Sequence, residues 1–289
     1  MTALDPSRLA CADSSFPKLS HAAALAVIRD LGIGAVDVCS FRGYDHTPPD
    51  AVLADPVAAA AAVAPRLERH DQVVSDVFAI LGTSFEDLAI NHPDEAVREE
   101  SWRQFERFVA FARRLGGPGL TILPGTTFDG VPEAESRALA AAELNRRAQL
   151  AGEVGLRLAI EPHYQSVAAT PATALELLDL APDVGLALDY SHFVYQGIPE
   201  RDVDALLERT CHLHVRQAAP GAIQARTSEG TIDLPGIRDR LLDQGYEGYF
   251  AIEYQWEEGW LDFSHVDCIS ETAQTRDILL GSAATTKEG

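Results

Sequence analysis

The strongest constraint on this chain is a repeated alternation of short apolar runs with longer amphipathic ones, with no linker between its halves. Short apolar-rich runs read as strands, and mostly longer runs with helical spacing read as helices. The strand-like runs lie near 8–12, 35–40, 72–81, 119–125, 157–163, 184–192, 211–217 and 249–255. Helical patterns fall at 19–32, from Pro56 onward, at Glu95–Leu115, 132–154, from Thr170 onward, 202–207, 234–245 and 266–280. Punctuation supports these limits. Gly32 and Gly116–Gly117 follow helical patterns, where a left-handed C-terminal residue is needed. Thr170 is a good cap and Pro171 a good first-turn residue. Pro65 is expected to interrupt the alanine-rich helix that begins at Pro56.

Eight strand–helix units imply parallel pairing. Within 289 residues they match a closed (β/α)8 barrel, a TIM barrel. The expected organisation is one domain over 1–289, with an ordered core at about 8–280 and a short flexible C-terminal tail. An open doubly wound sheet is the alternative. It calls for a glycine-rich turn after the first strand, and neither GxGxxG nor GxxxxGK[ST] occurs.

Charge narrows the partners. A formal net charge of −21 repels phosphate backbones and anionic membrane surfaces, so neither nucleic acid nor membrane is an expected partner. A small-molecule substrate is expected, and a homo-oligomer is compatible with the sequence. No run of 18 apolar residues is present, and the N-terminus has no basic-then-apolar leader. Cys11, Cys39, Cys211 and Cys268 form no CxxC pair. Reduced, mostly buried thiols and a cytoplasmic location are therefore expected.

In a parallel barrel the active site lies at the carboxyl ends of the strands. Four strand-like runs end in a polar group: Glu161 after RLAI, Asp189 after GLAL, His214 within CHLHV, and Glu253 after FAI. An isolated buried carboxylate costs several kcal/mol, roughly, unless paired or metal-bound. Three carboxylates and an imidazole converging on one rim thus call for a cation. One divalent metal ion is expected, Mn2+, Mg2+ or Co2+ by donor type, with Zn2+ and Fe2+ as alternatives. His212 shares a strand face with His214 and reads as a barrel-core histidine. His192, in the loop beyond Asp189, is placed to bond a substrate oxygen. Arg216, Gln224 and Arg226 are further candidates for substrate contacts. An arginine fork suits a carboxylate or phosphate, and Arg216 is read as alternating with the metal-facing positions of its strand. Asp76, His46, Phe41 and Phe78 are candidates to line a pocket, with a structural role the first expectation for all four. Trp256 and Trp260 would form either an aromatic wall or a subunit contact.

The phrases AIEPH, LALDYSH, HLHVRQ, GTID and GYFAIEY, in this order and spacing, resemble the xylose isomerase-like barrel superfamily. This sugar phosphate isomerase/epimerase group includes tagatose 3-epimerase-like and hydroxypyruvate isomerase-like enzymes. The match is close over about the last 130 residues; the first half matches only in strand–helix alternation. The resemblance implies that Glu161, Asp189, His214 and Glu253 ligate the metal, that Glu161 and Glu253 form the acid–base pair, and that His192 touches substrate. Two departures stand out. The epimerases carry a carboxylate six residues beyond the first ligand, where this chain has Val167, and an arginine six residues after the metal histidine, where it has Pro220. A metal-dependent isomerase or epimerase of a sugar, polyol-ketone or related hydroxy-carbonyl compound is expected. A metal-dependent dehydratase of the inosose or 3-dehydroshikimate type is the alternative. Phosphodiester hydrolysis of the endonuclease IV kind is disfavoured by the charge and by the absence of extra ligands at 123–125. A non-catalytic binding barrel would require no tight metal.

Overall fold

The computed structural model describes residues 3–44, 46–256 and 265–282. Eight parallel strands close on themselves in sequence order: β1 (Leu9–Ala12), β2 (Ala35–Phe41), β3 (Val73–Ile80), β4 (Gly119–Ile122), β5 (Arg157–Ile160), β6 (Gly185–Asp189), β7 (Thr210–Val215) and β8 (Phe250–Ile252), which pairs back onto β1. The helices are α1 (His21–Asp30), α2 (Pro49–Ala54), α3 (Pro56–Arg69), α4 (Glu95–Leu115), α5 (Glu133–Glu153), α6 (Pro171–Leu180), α7 (Ser191–Tyr195), α8 (Glu200–Val203), α9 (Leu234–Asp243) and α10 (Cys268–Leu280). The chain is a (β/α)8 barrel of one domain, as the alternation requires. No described helix is long and apolar enough to cross a membrane.

The strands read as nearly continuous apolar runs because both of their faces are buried. Side chains alternate between the faces with a period of two. Val36, Val38, Leu158, Ile160, Leu186, Leu188, Leu213, Val215, Phe250 and Ile252 belong to the large outer core shared with the helices. The alternate positions face the barrel interior. Its floor is small and apolar, made by Ala10, Ala35 and Ala251. Above it lies a polar layer in which Thr121 donates to Asp76 and His212 pairs with Asp37. Above that, Cys39, Phe41 and Phe78 form a second apolar cluster beside the C-terminal rim.

Local chemistry sets the element ends. Asp94 caps α4 at the Ala96 N–H, and Gly116 closes it with φ of 80°. Thr170 and Thr173 form a reciprocal capping box at the start of α6. β5 stops at Ile160, so Glu161 opens a loop; Pro162 follows and has no N–H to continue a ladder. The run at 184–192 divides into β6 and α7, which puts His192 on a short helix. Pro49 begins α2, a short helix between β2 and α3. One expectation fails outright: α3 continues through Pro65 to Arg69. Pro65 is on an exposed position of that helix, so the lost backbone bond is offset by Val63 and Leu67 packing into the core.

Gly119 opens β4 beneath the polar layer. A methyl group there would lie 2.5 Å from Asp76 Oδ1 and 3.1 Å from the Arg157 carbonyl oxygen. Gly119→Ala is expected to destabilise the protein by about 1–3 kcal/mol, as overpacking of a buried site does. Scanning calorimetry should show a lowered Tm; an unchanged Tm would mean that Asp76 moves aside at no cost.

Candidate active site

The C-terminal rim gathers the polar ends of four consecutive strands. Glu161 follows β5 directly and stays in register through its N–H to the Ile122 carbonyl, at 3.1 Å. Asp189 is the last residue of β6, and His214 lies in β7. Glu253 follows β8 and is held by its N–H to the Val215 carbonyl, at 3.0 Å. All four are buried. His214 Nδ1 is 2.5 Å from Glu161 Oε1 and 3.3 Å from Glu253 Oε2. Donor atoms of Glu161, His214 and Glu253 lie within 4.8 Å of one another, and so do those of Glu161, Asp189 and His192. Glu161 joins the two trios into one cluster.

The electrostatics follow from burial and proximity. Burial alone would lower the His214 pKa, but Glu253, Glu161 and Asp37 hold it well above the usual histidine value. Glu253 is pushed up to about 7 by burial, reinforced by Glu161 and Asp189 and opposed by His214 and Arg216. Burial would raise Asp189, yet Arg216 and His192 keep it below the ordinary carboxylate value. His192 and His163 are both lowered by burial, which disfavours the charged ring; His163 falls far and is further depressed by His192.

Arg216 belongs inside this site. His212, His214 and Arg216 are two residues apart along β7 and its end, so all three project to the interior. This corrects the reading that Arg216 alternates with the metal face. Its Nη2 is 2.6 Å from Asp189 Oδ2, its Nε donates to Ser191 Oγ at 2.9 Å, and its Nη1 faces the Glu253 carbonyl oxygen at 3.3 Å. Gln224 is fully buried. Its amide donates to the Gln255 carbonyl at 2.9 Å and accepts from the Gln255 N–H at 2.6 Å. It therefore braces Gln255, whose side chain in turn donates to Glu253 Oε1 at 2.9 Å. Arg226 lies outside the cluster, with its side chain 57% exposed and its nearest ion-pair partner, Glu229, at 3.8 Å.

A cavity of about 40 Å³ lies over the cluster. Phe41, Phe78, Phe85, His163, His192, Arg216 and Gln255 line it together with Glu161 and Glu253. Phe41 and Phe78 are part of its wall, the pocket-lining alternative of the sequence reading. It shares Phe41, Ile80 and Phe85 with an outer cleft of about 600 Å³, also lined by Arg42, Tyr44 and Gln165. The outer cleft is of ordinary size for a small-molecule site; the inner cavity holds only a few atoms. Asp76 and His46 are structural, bonded to Thr121 and to the Leu19 carbonyl respectively. Trp256 packs edge-on against Phe16, and Trp260 lies outside the described residues. Three site residues were not singled out from the sequence: Asp37, His163 and Gln255. Asp37 alternates with two outward valines, so the step of two that links His214 to His212 places it inside. His163 and Gln255 are each two residues past a rim glutamate but lie in loops, where that step does not fix a side chain's direction.

The donor set fits a divalent ion. Ligand atoms about 2.0–2.2 Å from one cation lie at most about 4.4 Å apart, a spacing close to that of both trios. The three rim carboxylates face a single guanidinium, leaving negative charge for a cation to neutralise. Asp189 is the exception to an open donor: its Oδ1 accepts from the Ser191 N–H at 2.8 Å and its Oδ2 faces Arg216.

Comparison with known proteins bears on the fold and the family. A protein of Streptomyces coelicolor, provisionally named hydroxypyruvate isomerase, is 29% identical over 200 residues, covering 61% of this chain and 69% of its own. A D-psicose 3-epimerase solved in the presence of D-fructose superposes with a TM-score of 0.74 at 17% identity, over 95% of this chain and 99% of that one. A Mycobacterium smegmatis barrel protein solved in complex with magnesium gives 0.72 at 15% identity, over 98% and 100%. At these identities the two solved structures bear on the fold alone. The sequence profile of one family matches residues 25–277, and the chain belongs to it: the xylose isomerase-like TIM barrel family.

Proposed function

We propose that the protein is a divalent-metal-dependent isomerase or epimerase of a sugar-like hydroxy-carbonyl compound. The observation that carries this reading is the meeting of Glu161, His214 and Glu253 within 4.8 Å at the barrel mouth. The hydroxypyruvate isomerase name of the Streptomyces relative supports the reaction class. Glu161, His214, Glu253 and Asp189 would hold the ion, with Mn2+, Mg2+ or Co2+ suited to a mostly oxygen donor set. When bound, the ion polarises a carbonyl and acidifies the neighbouring C–H.

The side chains supply the remaining chemistry. Glu161 and Glu253 flank the inner cavity and serve as base and acid. A carboxyl pushed to about 7 is balanced for taking and returning a proton near neutral pH. Return of the proton to the opposite face of the same carbon inverts it; return at the adjacent carbon exchanges aldose and ketose. Phe41, Phe78 and Phe85 keep water from the transferred proton. His192 is placed to bond a substrate oxygen. Arg216 fixes Asp189 and adds positive charge beside the reacting atoms. Neither Gln224 nor Arg226 is assigned a substrate contact: the first braces Gln255 and the second is outside the cavity.

Glu161→Gln and Glu253→Gln are each expected to lower kcat by about 10²–10⁴-fold, the usual range for a lost acid–base group, with the fold retained by circular dichroism. Near-wild-type turnover in either variant would refute its role. Chelation should abolish activity and Mn2+ or Co2+ restore it; full activity after exhaustive chelation would remove the metal from the reaction. Product mass decides the reaction class, because loss of water from the substrate would replace this reading with a lyase.

Glu253 contributes to the pH dependence of stability with a definite sign. The Glu253 pKa in the folded protein exceeds its ordinary value, so the folded state retains a proton that the unfolded chain releases. This contribution is present below the ordinary carboxylate range and is lost as pH rises through about 7. His214, also raised, acts in the same direction. His163 and His192, held below the usual histidine value, act in the opposite direction, so the sign holds for Glu253 alone. Its part of Tm in the metal-free protein falls as pH rises from the ordinary carboxylate range through about 7. Glu253→Gln should flatten that loss, and an unaltered slope would refute the assignment.

A further inference from the structure

The segment Val36–Asp37–Val38 places one carboxylate on the inner face of β2 between two outward valines. Asp37 is fully buried. Ser75 donates to its Oδ1 at 2.5 Å. Its Oδ2 lies 2.7 Å from His212 Nε2 and 3.3 Å from His214 Nε2, across the barrel interior from β2 to β7. The two imidazoles stand edge to face, 5.2 Å apart at 89°, and Phe78 covers His214 at 5.3 Å.

Proton placement follows from this arrangement. An ionised carboxylate only accepts hydrogen bonds, so each Nε2 facing it carries the hydrogen. The same rule puts a hydrogen on Nδ1 toward Glu161 in the charged, metal-free ring. When a cation takes its place, the Nδ1 lone pair faces Glu161 and Glu253 and the remaining hydrogen stays on Nε2, toward Asp37. A ring nitrogen can bind a cation only through that lone pair, and the partner of the other nitrogen decides which tautomer is present.

We propose that Asp37 is the positioning residue that holds His214 in the Nε2–H tautomer and in the orientation needed to bind a divalent cation through Nδ1, with His212 and Ser75 bracing Asp37. This rests on the reading of the rim cluster as a metal centre. Asp37 acts on the far edge of the ring, away from Glu161 and Glu253.

Calorimetric titration of the metal-free, full-length protein with Co2+ tests the assignment without any activity assay. Wild type should bind one equivalent. Asp37→Asn keeps the shape but presents an amide that no longer demands Nε2–H. It should bind one equivalent about 10–100-fold more weakly, the usual effect of losing such an outer partner, while circular dichroism and Tm show a folded protein. Ser75→Ala, which removes only the brace on Oδ1, should weaken Co2+ in the same direction by less. A folded Asp37→Asn that binds Co2+ as tightly as wild type would overturn the proposal. So would a variant that loses a whole equivalent, because Asp37 would then be a ligand itself. If Asp37→Asn does not fold, Ser75→Ala decides: unchanged affinity overturns the assignment. A wild type that binds no Co2+ would instead sink the metal reading on which the proposal stands, a result distinct from wild-type affinity in a variant.

Discussion

Negative charge buried at the mouth of a closed barrel is the constraint on which the rest of this structure depends. Glu161, Asp189 and Glu253 all lie within one rim cluster, with little exposure to water. Uncompensated carboxylates cannot persist in such a place. The protein meets the demand in layers. Arg216 takes Asp189, the imidazole of His214 lies between Glu161 and Glu253, and Asp37 below supports both His212 and His214. Each partial neutralisation fixes a side chain's direction, so the same interactions that make burial tolerable also preorganise the site.

The barrel architecture makes this arrangement possible because it separates the two duties of every strand. Outward positions are aliphatic or aromatic and pack under the helices, contributing the large core. Inward positions are released from that task. They are alanine at the floor, polar in the middle and charged at the rim. Stability and chemistry thus occupy alternate residues of the same short segments, and the rim can differ among barrels without disturbing the shell. The departures at Val167 and Pro220 concern the rim and loops, and the barrel closes regardless.

The constellation at the rim was legible in the sequence because each member interrupts or ends an apolar run. A charged residue after RLAI, GLAL or FAI is conspicuous, and parallel pairing alone is enough to bring strand ends together. Arg216, Asp37, His163 and Gln255 were less legible for different reasons. Arg216 needed the period of two to be carried one step beyond the strand end. Asp37 sits early in its strand, where a lone acid gives no sign of its partner; that partner, His212, is 175 residues away in sequence. His163 and Gln255 lie in loops, whose side-chain directions no strand period guarantees. Gln224 and Arg226 looked alike in the segment RQAAPGAIQAR, and only the folded loop separates a buried brace from an exposed guanidinium.

By itself the sequence determined the architecture, the single domain and which acids end the strands at the rim. Each of these follows from local pattern, which survives without knowledge of any long-range contact. The tertiary structure decided the pairings: Arg216 with Asp189, Asp37 with two histidines, Gln224 with Gln255. It also decided the continuity of α3 through Pro65 and the two-chamber shape of the cleft. These depend on distances between segments far apart in the chain, and on which of several polar neighbours a buried group meets first. Side-chain type sets what a residue can bond, but closure of the barrel selects the partner.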